Sequence, residues 1–261
     1  MHSSLWVSKS GLSAQNLRLT TISNNLANVS TNGFKRDRAA FQDLLYQMDR
    51  QPGGQSSQNT ELPSGLQLGT GVRAVATQKQ FTEGSIDVTD GALDVAINGR
   101  GFLQILNPDG SLSYTRDGQL QLDSTGQLVN ATGSPVEPAI TIPEGTHSIT
   151  IGTDGVVTVV DAASGALSEV GTIQLADFVN PSGLEAQGGN LFRETSASGA
   201  ATQGEPGQGG FGSLVQGALE GSNVNVVEEM VNMIETQRAY EMNSKVISTV
   251  DQMLQYASQN M

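Results

Sequence analysis

The feature that most constrains this chain is a long heptad pattern near its C-terminus. Apolar residues recur in seven-residue steps from residue 226, and further apolar residues occupy positions between them. Alternating steps of three and four residues place these side chains on one narrow line along a helix, as in a coiled-coil seam. The predicted seam on this helix consists of Val226, Met233, Tyr240, Ile247, Val250 and Leu254.

A helix start signal precedes this pattern. Asn225 is a good N-cap residue, and Glu228 stands where a capping box carries its acid. Neither Gly nor Pro occurs between Asn225 and Ser258, so we expect one helix about 50 Å long. A helix of that length with so narrow an apolar line needs a partner of similar length.

The N-terminus carries a second heptad pattern. We expect a helix from Ser4 to Asn28, ending where Asn32 and Gly33 supply left-handed backbone conformations. The two terminal helices are therefore predicted to pair as a coiled coil. An ordinary helical-bundle contact is the alternative, and on the heptad spacing alone it is the commoner outcome. The predicted N-terminal seam consists of Leu5, Leu12, Leu19, Ile22 and Leu26.

Composition excludes several classes of function. The 261 residues include no Cys and carry a net charge of −13. Disulfides and thiol catalysis are therefore excluded, and the acidic balance argues against nucleic-acid binding, which needs a basic face. No apolar run reaches the roughly 18 residues of a membrane span. The first residues lack the apolar core of a secretory signal, so we expect neither membrane insertion nor a cleaved signal peptide.

The middle of the chain reads as short strands separated by turns. Asp-Gly dipeptides at 90–91, 109–110, 117–118 and 154–155 separate apolar or alternating runs, as in antiparallel hairpins. We predict a mainly antiparallel β domain resembling a sandwich or small barrel. The Gly-Thr-Gly at 69–71 superficially resembles a dinucleotide loop, but a turn into a strand fits its surroundings better.

No constellation of residues predicts catalysis. His2 and His147 are the only histidines, which leaves almost nothing for a His-based triad or metal site. Asp87 and Asp90 could in principle serve glycoside hydrolysis, but Asp is here mostly a turn residue. We therefore predict no catalytic, cofactor-binding or metal-binding residues.

Two strings at opposite ends of the chain resemble a known family. The first runs from Ser23 to Lys35, and the second comprises 222–225, 229–241 and 243–247. Both resemble the terminal signatures of the bacterial flagellar rod and hook proteins. The signature residues are Asn24, Asn25, Leu26, Ala27, Asn28, Thr31, Gly33, Phe34, Lys35, Asn223, Asn225, Gln237, Arg238, Ala239, Tyr240 and Asn243.

A further segment resembles the distal rod branch of that family. It includes 41–46, 50–57 and 62–72, an insertion that implies a stiffened, straight tube. Local preference disagrees with the resemblance over 36–50, because Phe41, Leu44, Leu45 and Met48 have helical spacing, whereas the resemblance implies an extended connector. The insertion residues are Gln51, Pro52, Gly53, Gly54, Leu62 and Pro63.

The resemblance implies a structural function. It implies a subunit that polymerises helically into the rigid, hollow distal rod, transmits torque to the hook and forms part of the export channel. Its implied location spans the periplasm to the outer membrane. Asn24, Asn25 and Asn28 would contact neighbouring subunits. The implied partners are other copies of the chain, proximal rod proteins, the hook protein, the P-ring and L-ring bushing, the rod cap and the flagellar type III export machinery.

These expectations divide the chain into five parts. They are an N-terminal helix (1–33), an extended connector (34–71), a β-rich domain (72–194), a flexible return connector (195–221) and a C-terminal helix (222–261). The fold class is therefore α+β. Two alternative functions stay open: another axial subunit, such as a proximal rod or hook protein, and a secreted β-rich binding or carbohydrate-active module.

Overall fold

A computed structural model describes residues 2–50, 55–57, 60–61, 64–162 and 165–259. The predicted insertion residues Gln51, Pro52, Gly53, Gly54, Leu62 and Pro63 lie outside this part of the chain. The chain forms two compact units. We call Met1–Ala27, Asp37–Gln78 and Asn225–Met261 the helix unit, and Asn28–Arg36 with Lys79–Val224 the β unit.

The helix unit contains both long helices, α1 (His2–Ala27) and α2 (Val226–Gln259). The predicted start of α2 is confirmed by its cap. The Asn225 side-chain oxygen accepts hydrogen bonds from the backbone N–H groups of Val227 at 3.0 Å and Glu228 at 3.3 Å. These bonds satisfy two of the donors that the first turn of a helix leaves unpaired.

The rest of the helix unit is an extended ribbon rather than a third helix. Its strands are β1 (Asp37–Asp43), β2 (Tyr46–Arg50), β3 (Gln55–Ser57), β4 (Thr60–Glu61), β5 (Leu66–Gly69) and β6 (Val72–Lys79). β1 pairs with β6, β2 with β5 and β3 with β4. The helical spacing over 36–50 was therefore misleading. Phe41, Leu45 and Met48 are exposed, so their spacing meets no core that would favour a helix.

The β unit contains sixteen further strands among the described residues. The first eight are β7 (Ile86–Val88), β8 (Val95–Asn98), β9 (Phe102–Leu106), β10 (Leu112–Thr115), β11 (Leu120–Leu122), β12 (Leu128–Asn130), β13 (Val136–Glu137) and β14 (Thr146–Ile151). The others are β15 (Val156–Asp161), β16 (Leu167–Thr172), β17 (Leu175–Asp177), β18 (Glu185–Gly188), β19 (Leu191–Arg193), β20 (Thr202–Gly204), β21 (Ser213–Gln216) and β22 (Ala218–Glu220).

A seven-stranded sheet organises this unit. Its order is β18-β19-β10-β9-β17-β20, with β13 also paired to β9, and all these pairings are antiparallel. The antiparallel β domain predicted from sequence is thus confirmed. The barrel-like alternative is wrong, because the described sheet ends in two edge strands, β18 and β20, and does not close on itself.

Two apolar clusters form the core of the β unit. The larger is aliphatic and includes Val95, Leu103, Ile105 and Leu175. The smaller is aromatic, with Phe102, Tyr114, Phe178 and Phe192. Alternation explains the division, since successive residues of a strand such as 102–106 point to opposite faces of the sheet.

Residues 195–221, predicted from composition to be a flexible connector, contain β20, β21 and β22. β21 pairs with β8 and β22 with β7. Leu214, Ala218 and Leu219 are buried. These few apolar residues suffice because the strands they belong to complete existing sheets rather than forming a core of their own.

Candidate assembly surface and its anchors

The two helices of the helix unit pack antiparallel to each other. A Cβ atom placed on Gly11 would lie 3.3 Å from the Asn243 amide nitrogen. Fourteen residues further along α1, the Asn25 amide nitrogen lies 3.5 Å from a Glu229 carboxylate oxygen. The partner position on α2 therefore moves back as the position on α1 moves forward. Gly11 permits close approach, because a larger residue would press on Asn243.

The most buried side chains of the two helices are mainly small or polar. In α1 they are Ser8, Ala14, Thr21, Ile22 and Asn25, and in α2 they are Glu229 and Thr236. Ile22 is the one predicted seam residue in this buried set. Tyr240 is 42% exposed, and the remaining seam residues are half-buried. The half-buried ones are Leu5, Leu12, Leu19, Leu26, Val226, Met233, Ile247, Val250 and Leu254. The predicted coiled-coil seam therefore stays a prediction.

The opposite side of α2 carries a second apolar stripe. Its spacing of three, four or seven to eight residues follows one helical face. Each member is at least 45% exposed, and Val227 is 70% exposed. We call this stripe the outer face of α2. It consists of Val227, Val231, Ile234, Met242, Val246 and Met253.

Asn25 anchors the end of α1 within the chain. Its amide nitrogen donates to the Asp37 carbonyl at 2.9 Å, and its amide oxygen accepts from the Asp37 N–H at 2.9 Å. The side chain is 2% exposed. Both polar atoms of Asn25 are therefore used within the chain. Contacts with neighbouring subunits stay a prediction for Asn24, which is exposed, and Asn28, which is half-buried.

Gly33 occupies a position that only glycine tolerates. Its φ of +68° is left-handed, and a Cβ atom would lie 2.6 Å from the backbone nitrogen of Asp117. The predicted sharp turn before Phe34 therefore has a physical basis. Phe34 and Lys35 follow directly into buried positions.

The remaining signature residues have varied environments. The Asn223 amide oxygen accepts from the Arg36 N–H at 2.8 Å, and its nitrogen donates to the Gln80 carbonyl at 2.8 Å. Ala27, Gln237 and Arg238 are exposed, whereas Thr31 and Ala239 are half-buried. The signature therefore mixes residues that hold the fold with residues that face solvent in a single chain.

A buried ion cluster in the β unit was missed by sequence reasoning. One Glu220 carboxylate oxygen lies 2.6 Å from Lys35 Nζ, and the other lies 2.7 Å from Arg116 Nε. The side chains of Lys35, Arg116 and Glu220 are each at most 3% exposed. The one available signal was an acid following two apolar residues at 218–220. We call these three residues the buried ion triad.

Burial shifts the pKa of two of the acids and bases nearby. It lowers the pKa of Lys35, opposed by the attraction of Glu220. It raises the pKa of Asp117, and the negative charge of Asp94 adds to this effect. Desolvation disfavours the charged form in both cases. Lys35 belongs to the buried ion triad, and the Asp117 carboxylate accepts a hydrogen bond from the Gln119 N–H at 3.1 Å.

The residues considered for chemistry are not assembled into a site. Asp87, Asp90 and His147 are all exposed. Across the described ranges, no cluster of three or more His, Asp or Glu side chains could hold a metal ion. Nor does either described helix combine the length and apolar character required to span a bilayer. The exposed outer face of α2 is the candidate functional surface.

Family models of known proteins match both ends of the chain and its central strands. Residues 5–35 match the flagella basal body rod protein model, and residues 215–260 match the flagellar basal body rod FlgEFG protein C-terminal model. Residues 96–159 match the flagellar hook protein FlgE/F/G D1 domain. The matched segments include both helices and the central strands.

Full-length relatives extend the likeness over almost the whole chain. The flagellar basal-body rod protein FlgG of Buchnera aphidicola (subsp. Acyrthosiphon pisum, strain APS) is 57% identical over 256 residues, covering 98% of each chain. FlgG of Caulobacter vibrioides is 51% identical over 251 residues, covering 96% of each. The flagellar hook-basal body complex protein FlhP of Bacillus subtilis is 32% identical, covering 91% of each. The chain belongs to the family of flagellar basal-body rod proteins.

Proposed function

We propose that this structural rod subunit of the flagellar basal body polymerises helically into the distal rod. In that role it would transmit torque to the hook and line part of the export channel, without enzymatic activity. Its high identity to proteins named FlgG supports the rod assignment. The observation that carries the polymerisation step is the exposed outer face of α2.

The outer face is unusual for a chain that works alone. Contiguous apolar patches on monomeric proteins are generally small, and larger ones mark interaction sites. Covering apolar surface contributes about 25 cal/mol per Å². A stripe from Val227 to Met253 therefore offers a substantial driving force once another surface covers it.

The proposed occupant of that stripe is a second copy of this chain. Its α1 carries Leu5, Leu12, Leu19 and Leu26, which are only half-buried within one chain. The α1 leucines and the outer face of α2 both repeat at the intervals of a heptad pattern, so one stripe can pack against the other. Because the two surfaces differ, the contact is head-to-tail, and head-to-tail contacts that do not close produce helical filaments.

The predicted seam fits the same scheme. Within a chain, Met233, Ile247 and Leu254 on α2 are half-covered, so neighbours would complete their burial. Tyr240, at 42% exposure, would become buried only on assembly. We therefore retain the coiled coil as a property of the polymer rather than of one chain.

The finer assignments follow from the rod role. The proposed location spans the periplasm to the outer membrane, reached through the flagellar type III export machinery without a cleaved signal peptide. The proposed partners are proximal rod proteins, the hook protein, the P-ring and L-ring bushing and the rod cap. The insertion at 51–63 would stiffen the tube.

The test is a pair of variants that change exposed apolar residues in different units. Val231→Ser with Ile234→Ser alters the outer face, and Val88→Ser with Leu167→Ser alters exposed positions of the β unit. In cells lacking the unaltered chain, we expect the first pair to abolish rod completion and swimming. The second pair should leave both close to normal, as seen by electron microscopy of isolated basal bodies.

Circular dichroism of each purified monomer serves as the control for folding. Normal rods in cells expressing only the outer-face variant would refute the proposed contact. Detection of the chain above or below the ring bushing would instead favour a hook or proximal rod subunit.

A further inference from the structure

The buried ion triad suggests a property of the β unit that rod assembly does not require. Glu220 is the sole acid within the triad, and it faces two cations. Its first carboxylate oxygen also accepts from the Gly84 N–H at 3.0 Å. Its backbone carbonyl accepts from the Gly33 N–H at 2.8 Å. One residue thus receives four donors from three separate stretches of the β unit, which are 33–35, Gly84 and Arg116.

The cations have further partners, but those partners are neutral. Lys35 Nζ donates to the Thr82 carbonyl at 2.7 Å. Arg116 donates to the carbonyls of Ile97 at 3.2 Å and Gly99 at 2.7 Å. Carbonyls satisfy hydrogen bonds without cancelling charge. Without Glu220, the same site would contain two buried positive charges, which is strongly unfavourable.

One other acid acts on the triad from a distance. Glu83 attracts Lys35 electrostatically, but it is exposed to solvent. Water screens such an interaction, so Glu83 is a poor substitute for a buried carboxylate. Closure of the site therefore depends on Glu220.

Glu220 comes late in the sequence relative to its partners. It lies 104 positions after Arg116 and 185 positions after Lys35. It ends β22, which with β21 completes pairings to β7 and β8. Ile97 lies on β8, and Gly99 and Arg116 directly follow the ends of β8 and β10, so all three precede Glu220 by about a hundred residues or more.

We propose that Glu220 couples folding of the β unit to docking of its last strands, because its carboxylate completes the buried ion triad. Until the 213–220 segment docks, Lys35 and Arg116 have no buried counter-charge, and the site stays open to water. When it docks, the carboxylate joins the two cations and the N-terminal segment at Gly33. The β unit therefore reaches its folded state only after nearly all of its sequence is present.

The test compares Glu220→Gln with Glu83→Gln in the full-length chain. Hydrogen exchange measured by mass spectrometry follows peptides covering 95–116 and 213–220. We expect Glu220→Gln to raise the equilibrium constant for opening roughly 100-fold or more, since it leaves two unpaired buried cations. Glu83→Gln should change it less than about threefold, as for other exposed charges. Unchanged protection in Glu220→Gln would overturn the proposal.

A double variant distinguishes charge from shape. Lys35→Met with Glu220→Gln leaves Arg116 alone, so its net buried charge equals that of the unaltered triad. We expect its equilibrium constant for opening to be at least tenfold smaller than that of Glu220→Gln. If the single variant fails to fold, we expect the double variant to fold. If the double variant were destabilised by the sum of the two single substitutions, the charge-based explanation would be overturned.

Refolding of the unaltered chain tests the timing. In pulsed hydrogen exchange, peptides covering 95–116 should gain full protection together with the 213–220 peptide. Full protection of 95–116 before 213–220 would contradict the proposed order.

Discussion

Asn25 and Asp117 illustrate two different uses of a polar side chain. Asn25 is buried and fully paired, because both of its amide atoms bond to the backbone of Asp37. Removing one partner of such a pair leaves a buried group unsatisfied, at a cost of about 1–3 kcal/mol. Asp117 is half-buried near Asp94, so its ionised form is disfavoured. Asn25 does not itself titrate, whereas the effect of Asp117 on stability depends on pH.

Replacing Asp117 by Asn should stabilise the β unit at pH 7. Burial raises the pKa of Asp117 in the folded chain, so folded protein holds this proton more tightly than unfolded protein. The stabilising contribution is full below the unfolded pKa and is lost as pH rises through the folded pKa. At pH 7 the ionised carboxylate therefore costs stability, which Asn avoids while keeping an oxygen for the Gln119 N–H. Chemical denaturation at pH 4 and pH 7 measures the difference.

Asp109→Asn provides a control of opposite sign. Hydrogen bonds from Ser111 lower the pKa of this exposed carboxyl. Its contribution is therefore present above the unfolded pKa and lost as pH falls through the folded one. Asp109→Asn should weaken the fold slightly at pH 7. If Asp117→Asn proved the less stable variant at that pH, our account of Asp117 would be wrong.

At the scale of elements, α2 combines a strong start with weak support along its length. Asn225 caps it, and Glu228 and Glu229 place negative charge in the first turn, where the helix dipole favours it. Most of its apolar side chains remain exposed. Its stability within one chain therefore depends heavily on its first turns and on its contact with α1.

Asn225→Ala should loosen the N-terminal turns of α2. Loss of an Asn cap typically costs about 0.5–2 kcal/mol, and little tertiary packing compensates on the outer face. We expect faster hydrogen exchange in the peptide covering 226–233 and unchanged exchange in β9. Asn225→Asp is the matched control, because its carboxylate still accepts the bonds from Val227 and Glu228. Equal exchange in the Ala and Asp variants would show that the cap contributes little.

The whole molecule contains two units with different sources of stability. The β unit has aliphatic and aromatic cores with almost no exposure. The helix unit buries mainly small and polar side chains and leaves its largest apolar residues partly in water. The β unit therefore completes its core within one chain. We propose that neighbouring subunits complete the burial of the helix unit, which would make its stability depend on subunit concentration.

Purified monomer should consequently show uneven hydrogen exchange. We expect peptides from α1 and α2 to exchange much faster than those from 102–106, because few buried apolar contacts oppose opening of the helices. Isolated basal bodies should show strong protection of both helices. If the helices were as well protected in monomer as β9, completion of the helix unit by assembly would be refuted.

The ribbon shows where local pattern and tertiary structure diverge. Phe41, Leu44, Leu45 and Met48 repeat at helical intervals, yet they lie on or between strands β1 and β2. Pairing of β1 with β6 and of β2 with β5 satisfies the backbone there. Distant strands supplied those partners, and no local signal identified them. The Gly-rich 195–221 segment became ordered for the same reason.

What the sequence by itself determined is whatever depends on neighbours a few positions apart. Heptad spacing and the Asn225 cap specified the helices, and Asp-Gly turns with alternating runs indicated antiparallel strands. Only the tertiary structure decided that Lys35, Arg116 and Glu220 share one buried site, or that Asn25 bonds to Asp37. A charge is tolerated in the interior only beside its partner, and here the fold alone brings partners separated by more than a hundred residues together.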